Sequence, residues 1–95
     1  MYGLIGKIIA VDGSRDELAG ILHHGSRAMA GCLSYVVALD AADDNTLWVT
    51  ELWETREKHA ASLSLPTVQE AIAKGRPLIA GFGQRIETIP FDGHD

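Results

Sequence analysis

The chain has a single cysteine, Cys32, in 95 residues. One thiol forms no internal disulfide, so the fold is not held by disulfides and a reducing cytoplasm suits it. Cys32 follows a glycine and precedes an apolar run, which reads as a small buried residue opening a strand rather than a reactive thiol. Basic charge is also scarce. Eight Lys and Arg stand against thirteen Asp and Glu, a net charge of −5, and the basic residues form no cluster. That argues against nucleic acid and against an anionic membrane surface as partner. No stretch approaches the roughly eighteen apolar residues of a membrane span, and the first residues lack the basic-then-apolar pattern of a signal peptide. There is no repeat, low-complexity segment or internal linker, and the tail from Phe91 to Asp95 is expected to fray.

Cofactor signatures are missing as well. The chain has no Gly-rich dinucleotide fingerprint, no phosphate-binding loop and no clustered Cys/His metal set, so no metal and no cofactor is expected. His23 and His24 are adjacent, and neighbours on a helix point about 100° apart, which does not suit joint chelation of one ion. His94 lies in the tail.

What the chain has in quantity is apolar surface: 46% of residues are hydrophobic. The length fits one domain over residues 1–95. A domain of this size removes only roughly 60–70% of its unfolded surface from water. So large an apolar content therefore implies a core plus an interface, and a homodimer is expected.

Periodicity orders the elements. Tyr2 to Val11 reads as a strand, with Leu4 and Ile8 on one face and Ile5, Ile9 and Val11 on the other, hence covered on both sides. Asp12-Gly13 breaks it. Ser14 with Glu17 three residues on is a capping-box pattern, and Leu18, Ile21, Leu22, Gly25 and Met29 form the buried stripe of a helix. Cys32 to Asp40 is a second strand, with Leu33, Tyr35, Val37 and Leu39 sharing a face. A polar loop over 41–45 leads into a third strand from Thr46 to Glu54. Its alternation puts Leu47, Val49, Glu51 and Trp53 on one face and Trp48, Thr50 and Leu52 on the other. Thr55 is a plausible N-cap for a helix through Leu63. Pro66 fits the first turn of another helix, with Val68 and Ile72 inward and Gly75 as its stop. Pro77 to Gly83 reads as a loop with an apolar cluster of Leu78, Ile79 and Phe82, and Gln84 to Ile89 as the last strand. This β-α-β-β-α-β order is that of an α+β ferredoxin-like sandwich. Its helix-free sheet face stays apolar, which a second copy resolves by packing two sheets into a dimeric α/β barrel.

The run from Thr50 to Leu63 carries the chemistry. Glu51 and Trp53 end a strand, and His59 follows on a helix, so a carboxylate, a large aromatic and an imidazole meet at one junction. An imidazole titrates near neutrality and suits a general base. Glu51 can orient it, or serve as base itself if burial raises its pKa. The plain alternatives are core packing for Trp53, an exposed helical position for His59, and an ion pair of Glu51 with Arg85, Arg56 or a partner-chain residue.

Three segments carry a family resemblance: Gly31-Cys32-Leu33-Ser34-Tyr35, Glu51-Leu52-Trp53-Glu54, and Lys58-His59-Ala60-Ala61-Ser62-Leu63-Ser64-Leu65-Pro66. In that order and spacing they resemble the antibiotic biosynthesis monooxygenase family, and more closely its quinol monooxygenase branch. The resemblance extends from Lys7-Ile8 to about Ile86. It implies oxidation of a quinol or polycyclic phenol by dioxygen without metal, flavin or haem, the deprotonated substrate supplying the electrons. On this resemblance His59 and Glu51 are the candidate catalytic residues, and Trp53, Tyr35, Trp48 and Phe82 the candidates for holding a small aromatic substrate. Haem-degrading members carry an Asn early in the first strand and a His later in the second helical region. This chain has neither. An isomerase using the same pocket, and a dimeric binding module without catalysis, are the alternative readings, because one fold hosts many functions.

Overall fold

The computed structural model describes residues 1–91; residues 92–95, with His94, lie outside the described residues, and so does most of the expected frayed tail. The elements are β1 (Tyr2–Ala10), α1 (Arg15–Gly25), β2 (Cys32–Leu39), β3 (Thr46–Trp53), α2 (Arg56–Ser62), α3 (Pro66–Gly75), a 3₁₀ turn at Arg76–Leu78, and β4 (Ile79–Thr88). The four strands form one antiparallel sheet in the order β2-β3-β1-β4, the ferredoxin-like arrangement. No helix among the described residues is long and apolar enough to cross a membrane.

Register assigns the faces. Leu4 pairs with Glu51, Ile8 with Leu47, and Tyr35 with Glu51 on the other side. Directly paired residues share a face. One face of the sheet therefore carries Tyr2, Leu4, Ile8 and Ala10 of β1 with Leu47, Val49, Glu51 and Trp53 of β3. The helices cover this face in two clusters. Leu18 of α1 seals Ala10 and Leu47 at one end, while Met29, Leu65 and Val68 pack on Tyr2, Leu4 and Trp53 at the other. Leu18, Leu47 and Trp53 are wholly shielded from solvent, and each aliphatic burial of this kind contributes about 1.5–3 kcal/mol. The other sheet face, with Ile5, Ile9, Val36, Leu52 and Ile86, has no helix over it. Val36 and Ile86 are about half exposed there.

Local signals set the helix ends, with one exception. Thr55 caps α2, its hydroxyl accepting from the Lys58 amide at 3.1 Å. Ser14 sits at the N-cap of α1, but its side chain makes no cap bond. Arg15 instead ties the start of α1 to the β2–β3 loop, donating to the Asp43 carbonyl at 2.8 Å. Gly31 has φ +83° with the Lys58 side chain against its Cα, so both backbone and space require glycine there. Gly25 lets α1 approach Ala71 of α3 more closely than any side chain would allow.

The last strand starts earlier than the sequence pattern indicates. Residues 79–83 are not loop but the first half of β4, paired with β1 through Ile79–Ala10, Gly81–Ile9 and Phe82–Ile8. Two register shifts, between Gly6 and Ile8 and between Ile9 and Ala10, break the alternation. With Gly81 and Gly83 this leaves a segment that looks like loop but is held by its ladder.

Candidate functional site

The site is built at the end of the sheet where β3 passes into α2. Strand alternation aims Glu51 and Trp53 at the helix layer, and the Thr55 cap fixes the phase of α2 so that His59 comes down over them. The Trp53 indole Nε1–H donates to Glu51 Oε1 at 3.0 Å. His59 Nε2 lies 3.8 Å from the same Oε1, and the two side chains are only 14% and 13% exposed. The imidazole is held between two aromatic rings, Tyr2 at 5.5 Å and Trp53 edge-on at 5.4 Å between centroids. Behind Tyr2 a second chain of contacts runs outward. The Tyr2 hydroxyl donates to Glu87 Oε2 at 2.7 Å, and Arg56 Nη2 lies 3.5 Å from the same oxygen.

The electrostatics follow from burial. Glu51 is held above the usual carboxylate range because burial disfavours its charge; the Trp53 hydrogen bond, His59 and Arg85 oppose this. Desolvation, reinforced by nearby Glu51, pushes Tyr35 far above the ordinary phenol range, so its hydroxyl stays protonated at any physiological pH. Burial also raises the Cys32 thiol, which donates to the Ser34 carbonyl at 3.5 Å; this favours the inert form of the residue. Glu87 goes the other way, lowered first by the Tyr2 hydroxyl and then by Arg56.

Glu51, Trp53, His59 and Tyr35 line a cleft of about 140 Å³ whose other walls are mainly apolar, among them Met29, Val68 and Ile72. A larger depression of about 520 Å³ lies between α1 and α3. Its charged groups face solvent, and two of them, Lys74 and Glu70, pair with each other at 2.8 Å. The smaller cleft holds the shielded carboxylate–imidazole pair, and a shielded titratable pair marks a candidate site better than volume does.

Four of the six residues singled out from the sequence meet in this cleft: Glu51, Trp53, His59 and Tyr35. The other two do not. Trp48 is on the opposite sheet face, its indole donating to Asp40 at 2.8 Å with the Lys7 ammonium 5.7 Å from the ring. Phe82 is 73% exposed and pairs with Ile8, whereas Glu51 pairs with Leu4. Four residues along a strand separate the two by about 13 Å. Glu51 has His59 and Trp53 as its neighbours rather than an arginine, and Arg56 engages Glu87 instead. Tyr2 escaped the sequence reading, although it has the same strand parity as Leu4 and Ile8, which was enough to place it on the inner face. Among the described residues no three His, Cys, Asp or Glu side chains converge as a metal site would need.

The family profile described as "Antibiotic biosynthesis monooxygenase" matches residues 1–74. A Chloroflexus aurantiacus protein provisionally named an antibiotic biosynthesis monooxygenase superposes with a TM-score of 0.96 at 56% identity, over 99% of this chain and 96% of that one. A Deinococcus radiodurans protein with the same provisional name superposes with a TM-score of 0.81 at 23% identity, over 100% of this chain and 97% of that one, a likeness of fold alone. No protein of curated function is matched by the chain.

Proposed function

This chain belongs to the antibiotic biosynthesis monooxygenase family, and from its shielded Glu51–His59 pair we propose that it is a cofactor-independent monooxygenase of a quinol or polyphenolic aromatic. One observation carries the reading: an imidazole and a carboxylate 3.8 Å apart, both largely withdrawn from water, beside a tryptophan edge and a protonated tyrosine. A base in that setting needs only to remove a phenolic proton. The resulting anion is electron-rich enough to reduce dioxygen itself. One oxygen atom then bonds to ring carbon and the other leaves as water, so that a benzenediol and O₂ give a hydroxyquinone and H₂O. The ring supplies all four electrons. His59 accepts the phenolic proton, Glu51 stabilises the imidazolium, and Trp53 with the Tyr35 hydroxyl holds the ring and its oxyanion.

The deciding experiment is oxygen uptake with a quinol, measured above the spontaneous rate. Loss of a general base costs about 10²–10⁴-fold, so His59→Ala is expected to slow uptake by that factor while the protein stays folded. Full activity in His59→Ala would move the base elsewhere. Were the wild type never to exceed the spontaneous rate, the oxygenase reading would fall. Solvent deuterium exchange into a bound substrate would then favour an isomerase, and its absence a binding module.

We also propose that two copies pair through the helix-free sheet face. The cross-strand row Val36, Thr50, Ile5 and Ile86 on that face, apolar at three of its four positions and half-exposed at both ends, supports this, because water contact with it is unfavourable and a second copy removes it.

A further inference from the structure

We propose that the substrate is a single-ring, uncharged hydroxyaromatic, and that fused-ring and acid-bearing aromatics are excluded. This rests on the functional reading above and narrows it. Two observations carry it, the size of the cleft and the sign of its charges.

The cleft holds about 140 Å³. Pockets for drug-sized ligands run to about 300–1,000 Å³, whereas an apolar cavity of about 150 Å³ holds one benzene molecule. One six-membered ring fills this cleft. A second fused ring has to displace a wall or stay in the mouth. The walls resist displacement: Trp53 is fully buried and Met29 nearly so, and both belong to the core cluster that also holds Tyr2 and Leu4. The mouth lies at Leu63 and Ile72, which are 46% and 40% exposed. Two fused rings are rigid and coplanar, and in a 1-naphthol the second ring adjoins the hydroxyl-bearing carbon. Holding it in the mouth therefore draws the first ring out of the cleft and away from His59, and the burial of the first is lost.

The charge argument is independent. Three ionisable side chains line the cleft, namely Glu51, His59 and Tyr35, and no Lys or Arg does. A neutral phenol can give its proton to the pair and become an anion only as the imidazole becomes a cation. A ligand that already carries a carboxylate beside its hydroxyl brings a second negative charge up to Glu51, and among the lining residues only His59, already facing Glu51 at 3.8 Å, can offer a cation to the two of them. An ortho-carboxylate makes the sharper probe, because it cannot be turned out through the mouth while the hydroxyl faces His59.

The test uses redox-inert probes, so that binding is read apart from turnover. Phenol, 1-naphthol and 2-hydroxybenzoate are titrated into the ¹⁵N-labelled protein, following the resonances of Glu51, Trp53 and His59. Phenol is expected to shift them saturably. 1-Naphthol should bind at least about tenfold more weakly, the discrimination an apolar pocket can deliver for bulk, and 2-hydroxybenzoate at least about tenfold more weakly for its unpaired charge. Ile72→Ala, which widens the mouth, should bring 1-naphthol to within about threefold of phenol. Wild-type binding of 1-naphthol as tight as phenol at these resonances overturns the size argument, and equal binding of 2-hydroxybenzoate overturns the charge argument. No binding of phenol at millimolar concentration overturns the inference outright. Oxygen uptake with benzene-1,4-diol and naphthalene-1,4-diol, run separately, keeps the two levels apart. Phenol binding without oxygen use retains the ligand class and sinks the oxygenase. His59-dependent turnover of the naphthalene diol retains the oxygenase and sinks the ligand class.

Discussion

Glu51→Gln is the sharpest perturbation of the proposed site, because it removes a charge and almost nothing else. The amide keeps the volume of the carboxylate, and its oxygen can still accept from the Trp53 indole, which sits 3.0 Å away. What disappears is the negative charge 3.8 Å from His59 Nε2. When His59 takes a proton from the substrate, the transition state carries positive charge on the ring. At an effective dielectric constant of about 20, the attraction lost over that distance is about 4 kcal/mol, which is roughly a 10³-fold rate. That figure is a ceiling. Burial opposes ionisation of Glu51, so some of the gain on protonating His59 is spent on keeping the carboxylate charged. A loss of roughly 10²-fold in kcat is therefore expected, with KM for an uncharged quinol little changed, since the ground state has no charge for Glu51 to meet.

The assay is initial-rate oxygen consumption across pH for the wild type, Glu51→Gln, His59→Ala and the double variant. If Glu51 acts through His59, the double variant is no slower than His59→Ala, because the carboxylate has lost the cation it stabilised. Multiplicative losses in the double variant would show Glu51 to be a base in its own right. A Glu51→Gln rate within about threefold of the wild type would refute the electrostatic reasoning altogether, since the predicted effect lies well above that.

Other parts of the structure make further predictions. Sedimentation equilibrium at micromolar concentration should show a dimer burying roughly 1,500 Å² or more, and Val36→Glu should dissociate or misfold it, because a buried unpaired charge costs several kcal/mol; a wild-type monomer would overturn the pairing. Thr55→Ala should lower stability by about 0.5–2 kcal/mol in urea titration through loss of the α2 cap, and an unmoved midpoint would contradict that role. Glu87 is held below its ordinary range by the Tyr2 hydroxyl, so its contribution to stability is present above the unfolded-state carboxylate pKa and lost as pH falls through the folded one. Tyr2→Phe should therefore move the acid-unfolding midpoint to higher pH, and an unchanged midpoint would show that the Tyr2–Glu87 bond is not what depresses Glu87.

Much of the architecture was legible because single elements carried their own signal. In β3 the period of two placed Leu47, Val49, Glu51 and Trp53 together, and a carboxylate on an otherwise apolar face stood out. The same period put Trp48 on the opposite face, so grouping it with the pocket residues set aromatic character above strand parity. Parity also placed Tyr2 beside Leu4 without help from tertiary structure. The start of β4 was hidden for a different reason. Its first half has two glycines and no alternation, and what makes it a strand is the ladder to β1 across two register shifts, which no local pattern encodes. At α1 the capping-box residues mark the helix start correctly but make no cap bond, and Arg15 anchors that end to the β2–β3 loop from outside the pattern.

The site itself divides along the same line. That Glu51, Trp53 and His59 belong to one junction follows from eight residues of chain and one N-cap. Their mutual distance does not. The 3.8 Å between imidazole and carboxylate depends on where the Trp53 indole sits, for it holds Glu51 by its N–H and packs its ring against His59. The depth of the cleft depends on a pair still further apart in sequence, since Gly25 of α1 admits Ala71 of α3 to near contact and both line the wall. A larger residue at 25 would push α3 outward and widen the space beneath it. The room in the cleft is thus set partly by a helix–helix contact between α1 and α3, beside the buried Trp53 and Met29 walls.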